Sequence, residues 1–151
     1  MANRVVSPSR GGKQTDSAAA RSRRGAEPIR KWTVRYEIQI PANNDFQITR
    51  RIIGVRGNNM KSVNQATGAK LRLRGRGSGY LEGLGKEEAN EPLHLCISCT
   101  DEAGYRNARQ RTELLLKTVY DEFDQWCLER GIKPPRLAIK AKELLCMHSP
   151  V

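Results

Sequence analysis

The stretch Ile52-Ile53-Gly54-Val55-Arg56-Gly57-Asn58-Asn59-Met60-Lys61 sets the architecture of this chain. Two glycines stand three apart, preceded by aliphatic residues and followed by polar and cationic ones. Glycine carries no Cβ, so a partner can press against the backbone and the turn can reach positive φ. Arg56 lies between the glycines, and Lys61 follows Gly57 by four residues. A helix beginning at Asn58 would therefore set unpaired N–H groups and positive charge beside a phosphate.

Upstream, Thr33-Val34-Arg35-Tyr36-Glu37-Ile38-Gln39-Ile40 alternates strictly, which predicts a half-buried strand with Val34, Tyr36, Ile38 and Ile40 inward. Pro41 to Asp45 ends it, and Asn44 or Asp45 is placed to cap a short helix over residues 45–53. Ile48 and Ile52 share one face of that helix. Downstream, a second helix over 58–67 buries Met60 and Val63, and Gly68 closes it as a left-handed C-terminal residue. Ala69-Lys70-Leu71-Arg72-Leu73-Arg74 predicts a second strand with Leu71 and Leu73 inward and the cations outward. A long loop, rich in glycine and polar residues, follows from Gly75 to Glu91; loops of this length in small domains are usually functional or mobile.

Leu93, Leu95, Ile97 and Cys99 alternate as a third strand. A long helix then starts at Thr100 or Asp101, with Ala108, Leu115, Leu116, Val119, Tyr120, Phe123, Trp126 and Cys127 as its apolar stripe. Gly131, Pro134 and Pro135 stop it. The expected architecture is α+β: a three-stranded antiparallel sheet covered on one face by three helices, in the order β-α-α-β-β-α. The ordered domain spans 32–130, and the tail 131–151 holds one short amphipathic helix.

Charge points to the partner. The 151 residues carry a formal net charge of +11, which favours polyanions. Residues 1–31 hold 8 Lys/Arg against 2 acids, residues 32–75 again 8 against 2, and residues 76–151 hold 11 against 12. The positive charge thus sits in the first half. Residues 1–31 have almost no large apolar side chain and are expected to be disordered, with Arg21-Ser22-Arg23-Arg24 a basic run suited to nuclear import or non-specific phosphate contact. The chain opens without an apolar signal stretch, no run approaches the roughly 18 apolar residues of a membrane span, and four irregularly spaced cysteines fit reduced thiols.

Other chemistries find little support. Cys96 and Cys99 form a CxxC on a strand, where residues i and i+3 point to opposite faces and do not converge on one metal. Gly85-Lys86 is followed by Glu87 and lacks the leading glycine of a P-loop. His94 and His148 have no catalytic partner in the sequence, and Asp121, Glu122 and Asp124 fall on the polar side of the long helix. The reading is of a binding module, with no catalytic residue, metal ligand, cofactor or small-molecule substrate.

Ile53-Gly54-Val55-Arg56-Gly57 between two short helices, then Thr67-Gly68-Ala69-Lys70-Leu71-Arg72-Leu73-Arg74, resembles a type I KH domain over about residues 33–128. The run Leu73-Arg74-Gly75-Arg76-Gly77-Ser78 resembles the branchpoint-binding, STAR-like splicing factors and related splicing-associated KH proteins. The resemblance implies a groove for single-stranded RNA, whose GxxG turn contacts the backbone of about four nucleotides. Carried across, Gly54, Val55, Arg56 and Gly57 form the clamp, with Asn58 and Lys61 beside it. Ile52, Ile53, Leu71 and Leu73 are floor or core, and Arg72, Arg74 and Arg76 flank the second strand. Arg50 and Arg51 depart from the family pattern, and the acidic stretch 80–91 would cover the groove or repel RNA.

The resemblance also implies a role in splicing or other RNA processing, other RNA-processing proteins as partners, and a nuclear location with a cytoplasmic pool as the alternative. Two other functions share the fold. One is a protein scaffold with an unused groove, docking partners through the long helix and residues 136–147. The other is single-stranded DNA binding. Phe123 and Trp126 are expected in the core rather than as stacking platforms for bases.

Overall fold

The computed structural model describes residues 29–148. Its elements run β1 (Ile29–Glu37), α1 (Ile48–Ile53), a 3-10 turn (Val55–Gly57), α2 (Asn58–Thr67), β2 (Lys70–Arg74), β3 (His94–Cys99), α3 (Glu102–Glu129) and β4 (Lys140–His148). The sheet order is β2-β3-β1-β4, and β3 pairs antiparallel with both neighbours. Register places Leu73 against Leu95 and Leu95 against Tyr36, and likewise Leu71 against Ile97 and Ile97 against Val34. Strand alternation sends these rows to one face, where they belong to a single core with Ile48, Ile52, Val63, Ala108, Leu116 and Val119 of the helices.

The α+β arrangement is as expected, with one strand more. The tail from residue 131, expected to hold a short helix, instead runs along the molecule and ends as β4. Leu137 and Ile139 pack on the core, and Gln39 Nε2 donates to Ala138 O at 2.7 Å. Glu143 then accepts from Tyr105 Oη at 2.7 Å and pairs with Arg109 Nη1 at 2.9 Å. Burial, with this bond to Glu143, pushes the Tyr105 hydroxyl up to about 12. The physical reason for a strand is the free side of β1: a sheet ending there would leave a row of unpaired backbone groups. Order also starts earlier than expected. Residues 29–31, expected at the end of a disordered segment, lie in β1, beyond its register with β3, which spans only Trp32–Glu37. The rest of that segment, 1–28, lies outside the described residues.

Asp101 caps α3 by accepting from Gly104 N at 2.8 Å, and the helix runs 28 residues, about 42 Å. Every expected stripe position is buried or half-buried, and Tyr105 and Thr112 join them. Asn44 does not cap α1: its side chain accepts from Phe46 N at 3.1 Å, and Gln47, in the left-handed region, precedes the helix without a side-chain cap. This turn delivers Phe46 into the core at 1% exposure. The ring meets Phe123 and Trp126 edge-on, centroids 5.0 and 5.9 Å away. Removing such a ring from a core costs about 3–5 kcal/mol. Phe123 and Trp126 are therefore structural, as expected.

Candidate nucleic-acid interface

The glycine turn joins α1 to α2 through one asparagine. Gly54 has φ 84°, and a Cβ there would lie 2.7 Å from Asn59 Cγ and 2.8 Å from Asn59 N. The Asn59 side chain donates to Arg51 O at 3.1 Å and to Ile52 O at 3.2 Å, satisfying carbonyls at the end of α1 that the helix leaves open. Glycine at 54 is thus required by both conformation and space. Asn59 is absent from the site expected on sequence; its position at the second residue of α2 is the signal that could have found it.

Arg56 adopts φ 57°, ψ 27°, and Gly57 follows at φ 76°. A non-glycine residue in the left-handed region is strained and tends to mark functional turns. α2 begins without a side-chain cap, and within the turn Gly57 N donates to Gly54 O at 3.0 Å and Asn58 N to Val55 O. Val55 is 76% exposed, an apolar group held outward at the tip. Arg56, Asn58 and Lys61 are exposed, and neither Arg56 nor Lys61 forms an ion pair among the described residues.

The four aliphatic candidates divide. Ile52 (0%) and Leu73 (6%) are core. Ile53 and Leu71 are half-buried at its margin, the burial a contact floor needs. β2 is a sheet edge, so one side of its backbone is not paired within the sheet.

The arginines after Leu71 alternate with the core rows and so take the other face of the sheet. Arg72 is exposed, its guanidinium carbon 5.8 Å from the Tyr80 ring centroid. Arg74 forms a two-nitrogen pair with Glu82, its Nε at 3.0 Å. The hydrogen bond from Arg74 holds the Glu82 carboxyl below its usual range, and the Arg74 guanidinium is raised by the same bond. Arg76 donates Nη1 to Asn90 at 3.0 Å, and its N–H goes to Glu91 O at 2.9 Å. The acidic loop therefore folds onto the second strand's cations and does not stand clear of them.

The glycine-rich run after β2 is built around an anion from its own loop. Gly77 N and Gly79 N donate to the two carboxylate oxygens of Glu88, at 3.0 and 2.7 Å, and these amides depress its carboxyl. Thr49 Oγ1 donates to Gly77 O at 2.7 Å, tying the loop to α1. Glu82 and Glu87 pair as a small hairpin whose tip, Leu84, is fully exposed. On β3, Cys99 faces the core and Cys96 the opposite face; burial raises the Cys96 thiol, which keeps it protonated. His94 is buried, with Nδ1 2.8 Å from Pro92 O.

Arg50 and Arg51 take separate roles. Arg51 donates Nε to Phe46 O at 2.7 Å, pairs with Glu122 at 3.1 Å, and lies 4.0 Å over the Phe46 ring. Arg50 is exposed, with Nη1 3.2 Å from Gln47 Oε1. Both line an open cleft of about 700 Å³ between α1, the glycine turn and α3. No helix among the described residues is long and apolar enough to cross a membrane.

Residues 42–117 match the family model described as KHDC4/BBP-like, KH-domain type I. An uncharacterized protein of Schizosaccharomyces pombe, C30D11.14c, is 29% identical over 101 residues, covering 66% of this chain and 19% of that protein. The branchpoint-bridging protein of Eremothecium gossypii is 31% identical over 109 residues, covering 67% and 21%. The RNA-binding protein asd-2 of Caenorhabditis elegans is 36% identical over 77 residues, covering 43% and 17%. In each case the match spans about a fifth of the relative's length.

Proposed function

We propose that this chain, which belongs to the type I KH family, binds single-stranded RNA between its GxxG turn and the β2 edge, as part of nuclear pre-mRNA processing. The observation that carries this reading is the turn itself. Two positive-φ glycines present exposed Val55 and Arg56 at the start of an uncapped helix. The positive end of that helix and a guanidinium with no ion pair among the described residues there suit a phosphate. Across from the turn, Ile53 and Leu71 offer a narrow apolar floor against which bases can lie, and the exposed edge of β2 offers donors and acceptors to base edges. The mechanism is binding alone: the turn fixes the backbone and the strand reads the bases.

The splicing assignment draws on the relatives, one of which is named for the branchpoint, and it carries the nuclear location and a partnership with other RNA-processing proteins. The scaffold reading is weaker, because much of the 136–147 segment it would use is already taken up in β4. The test is fluorescence anisotropy with a randomised single-stranded RNA pool, comparing the parent with Val55→Asp/Arg56→Asp. Both substituted side chains are exposed, so the variant should keep the parent's circular dichroism. Loss of at least about 100-fold in affinity is expected, since two like charges would face phosphate. Equal binding by a folded variant would remove the groove from the account. Competition by 2′-deoxy oligonucleotides at equal strength would widen the ligand to single-stranded DNA.

A further inference from the structure

The cleft behind the turn is lined by no residue of β2 or of the β2–β3 loop, so it is separate from the floor described above. It nevertheless shares Gly54, Val55 and Arg56 with the turn. A strand whose backbone rests on the turn therefore passes its mouth. Three guanidiniums and two carboxylates, Asp45 and Glu122, line it. Arg51 is held by Phe46 and Glu122, whereas among the described residues Arg50 is met only by a neutral amide oxygen and Arg56 forms no ion pair. These two guanidiniums border the same open concavity and outnumber its one carboxylate without an ion pair among the described residues, Asp45, which leaves the charge to take a phosphodiester in forked geometry.

We infer that this cleft binds a backbone phosphate of a nucleotide flanking those in the groove, with Arg50 as its principal ligand and Arg51 positioned by Glu122 at its side. The inference rests on the RNA-binding reading and extends the footprint past the about four nucleotides that one KH groove holds. Glu122 would then compete with the phosphate for Arg51.

The experiment measures anisotropy with end-labelled RNAs of about four and about eight nucleotides, using the parent, Arg50→Ala and Glu122→Gln. Arg50 is exposed, so the alanine variant should fold; Glu122→Gln supplies an independent change of opposite sign. For the longer RNA, Arg50→Ala should weaken binding about two- to fivefold, the range of an exposed ionic contact. It should also shallow the slope of log K against log salt by about 0.7. Glu122→Gln should strengthen it by up to about threefold. Neither should change affinity for the shorter RNA. Equal loss on both lengths would assign Arg50 to the groove and overturn the cleft site, as would no loss on either. If the parent binds neither RNA, the underlying reading fails and this one with it.

Discussion

The two sides of the proposed groove carry similar charge in the sequence, but the fold engages it with partners on one side and leaves it open on the other. On the GxxG side, Arg56 and Lys61 face solvent without an acidic partner among the described residues. On the β2 side, Arg74 is engaged by Glu82, Arg76 by Asn90, and the amides of Gly77 and Gly79 by Glu88. Arg72, beside Tyr80, and Arg76, bonded to a neutral amide, are left without an acid there among the described residues. A cationic run counts toward an anion only when the fold does not neutralise it. By that measure Arg56 and Lys61 would contribute more to an electrostatic hold on a phosphate backbone than Arg74. The second side supplies a rigid wall, fixed from within by its own carboxylates.

The largest effect is expected where that wall is packed most tightly. Gly77 has φ 91°, and a Cβ there would overlap the side chain of Ala42. Gly77→Ala should lose about 1–2 kcal/mol from backbone strain alone, with the overlap adding to it. Gly79, at φ 78° with open space around its Cα, should lose only the strain. Urea denaturation of both variants measures the difference; equal losses would mean the wall yields at Gly77 and is not rigid.

A smaller effect, opposite in sign, should come from the acid on Arg74. Glu82→Gln leaves the geometry of the pair but removes its charge, so Arg74 regains a net charge toward RNA. Affinity should rise about two- to fivefold, and the gain should vanish in about 0.5 M salt, where the Debye length is well under about 8 Å. An unchanged or weaker affinity would show that the pair acts as a structural clasp only.

The smallest effect is a titration. The Glu88 carboxyl is depressed below its ordinary 4.5 by the Gly77 and Gly79 amides. A group depressed on folding contributes stability above its unfolded pKa and loses it as pH falls through the folded value. The loop should therefore be held at neutral pH and loosen only in acid. In NMR spectra the amide protons of Gly77 and Gly79 should shift together, with one midpoint below 4.5. Separate midpoints, or one at or above 4.5, would contradict the shared anion.

Much of this was legible in the chain. The alternation of Val34, Tyr36, Ile38 and Ile40 and the stripe on α3 mark buried faces because period and polarity agree there. Gly54-Val55-Arg56-Gly57 marks the turn because only glycine fits its ends. What the sequence does not disclose depends on partners remote along the chain. β4 forms because β1 has a free side, and nothing in Lys140-Ala141-Lys142-Glu143 announces that edge. Phe46 sits among loop residues, and it is held inward by the bond from its amide to Asn44 and by Arg51, contacts that the local pattern does not announce. The pairing of Arg74 with Glu82 needs the loop to fold back, which composition does not encode. Arg51, conspicuous as a cation, is taken up between Phe46 and Glu122.

The contrast between the two sides reduces to one comparison of salt dependence. Log K for a short single-stranded RNA should be measured against log salt for the parent, Arg56→Ala and Arg74→Ala. Removing one cation that neutralises a single-strand phosphate flattens the slope by about 0.7. The account predicts that Arg56→Ala flattens it by that amount while Arg74→Ala leaves the slope unchanged, because its charge is already matched by Glu82. A flattened slope for Arg74→Ala with none for Arg56→Ala would contradict it, and would move the electrostatic hold to the β2 side.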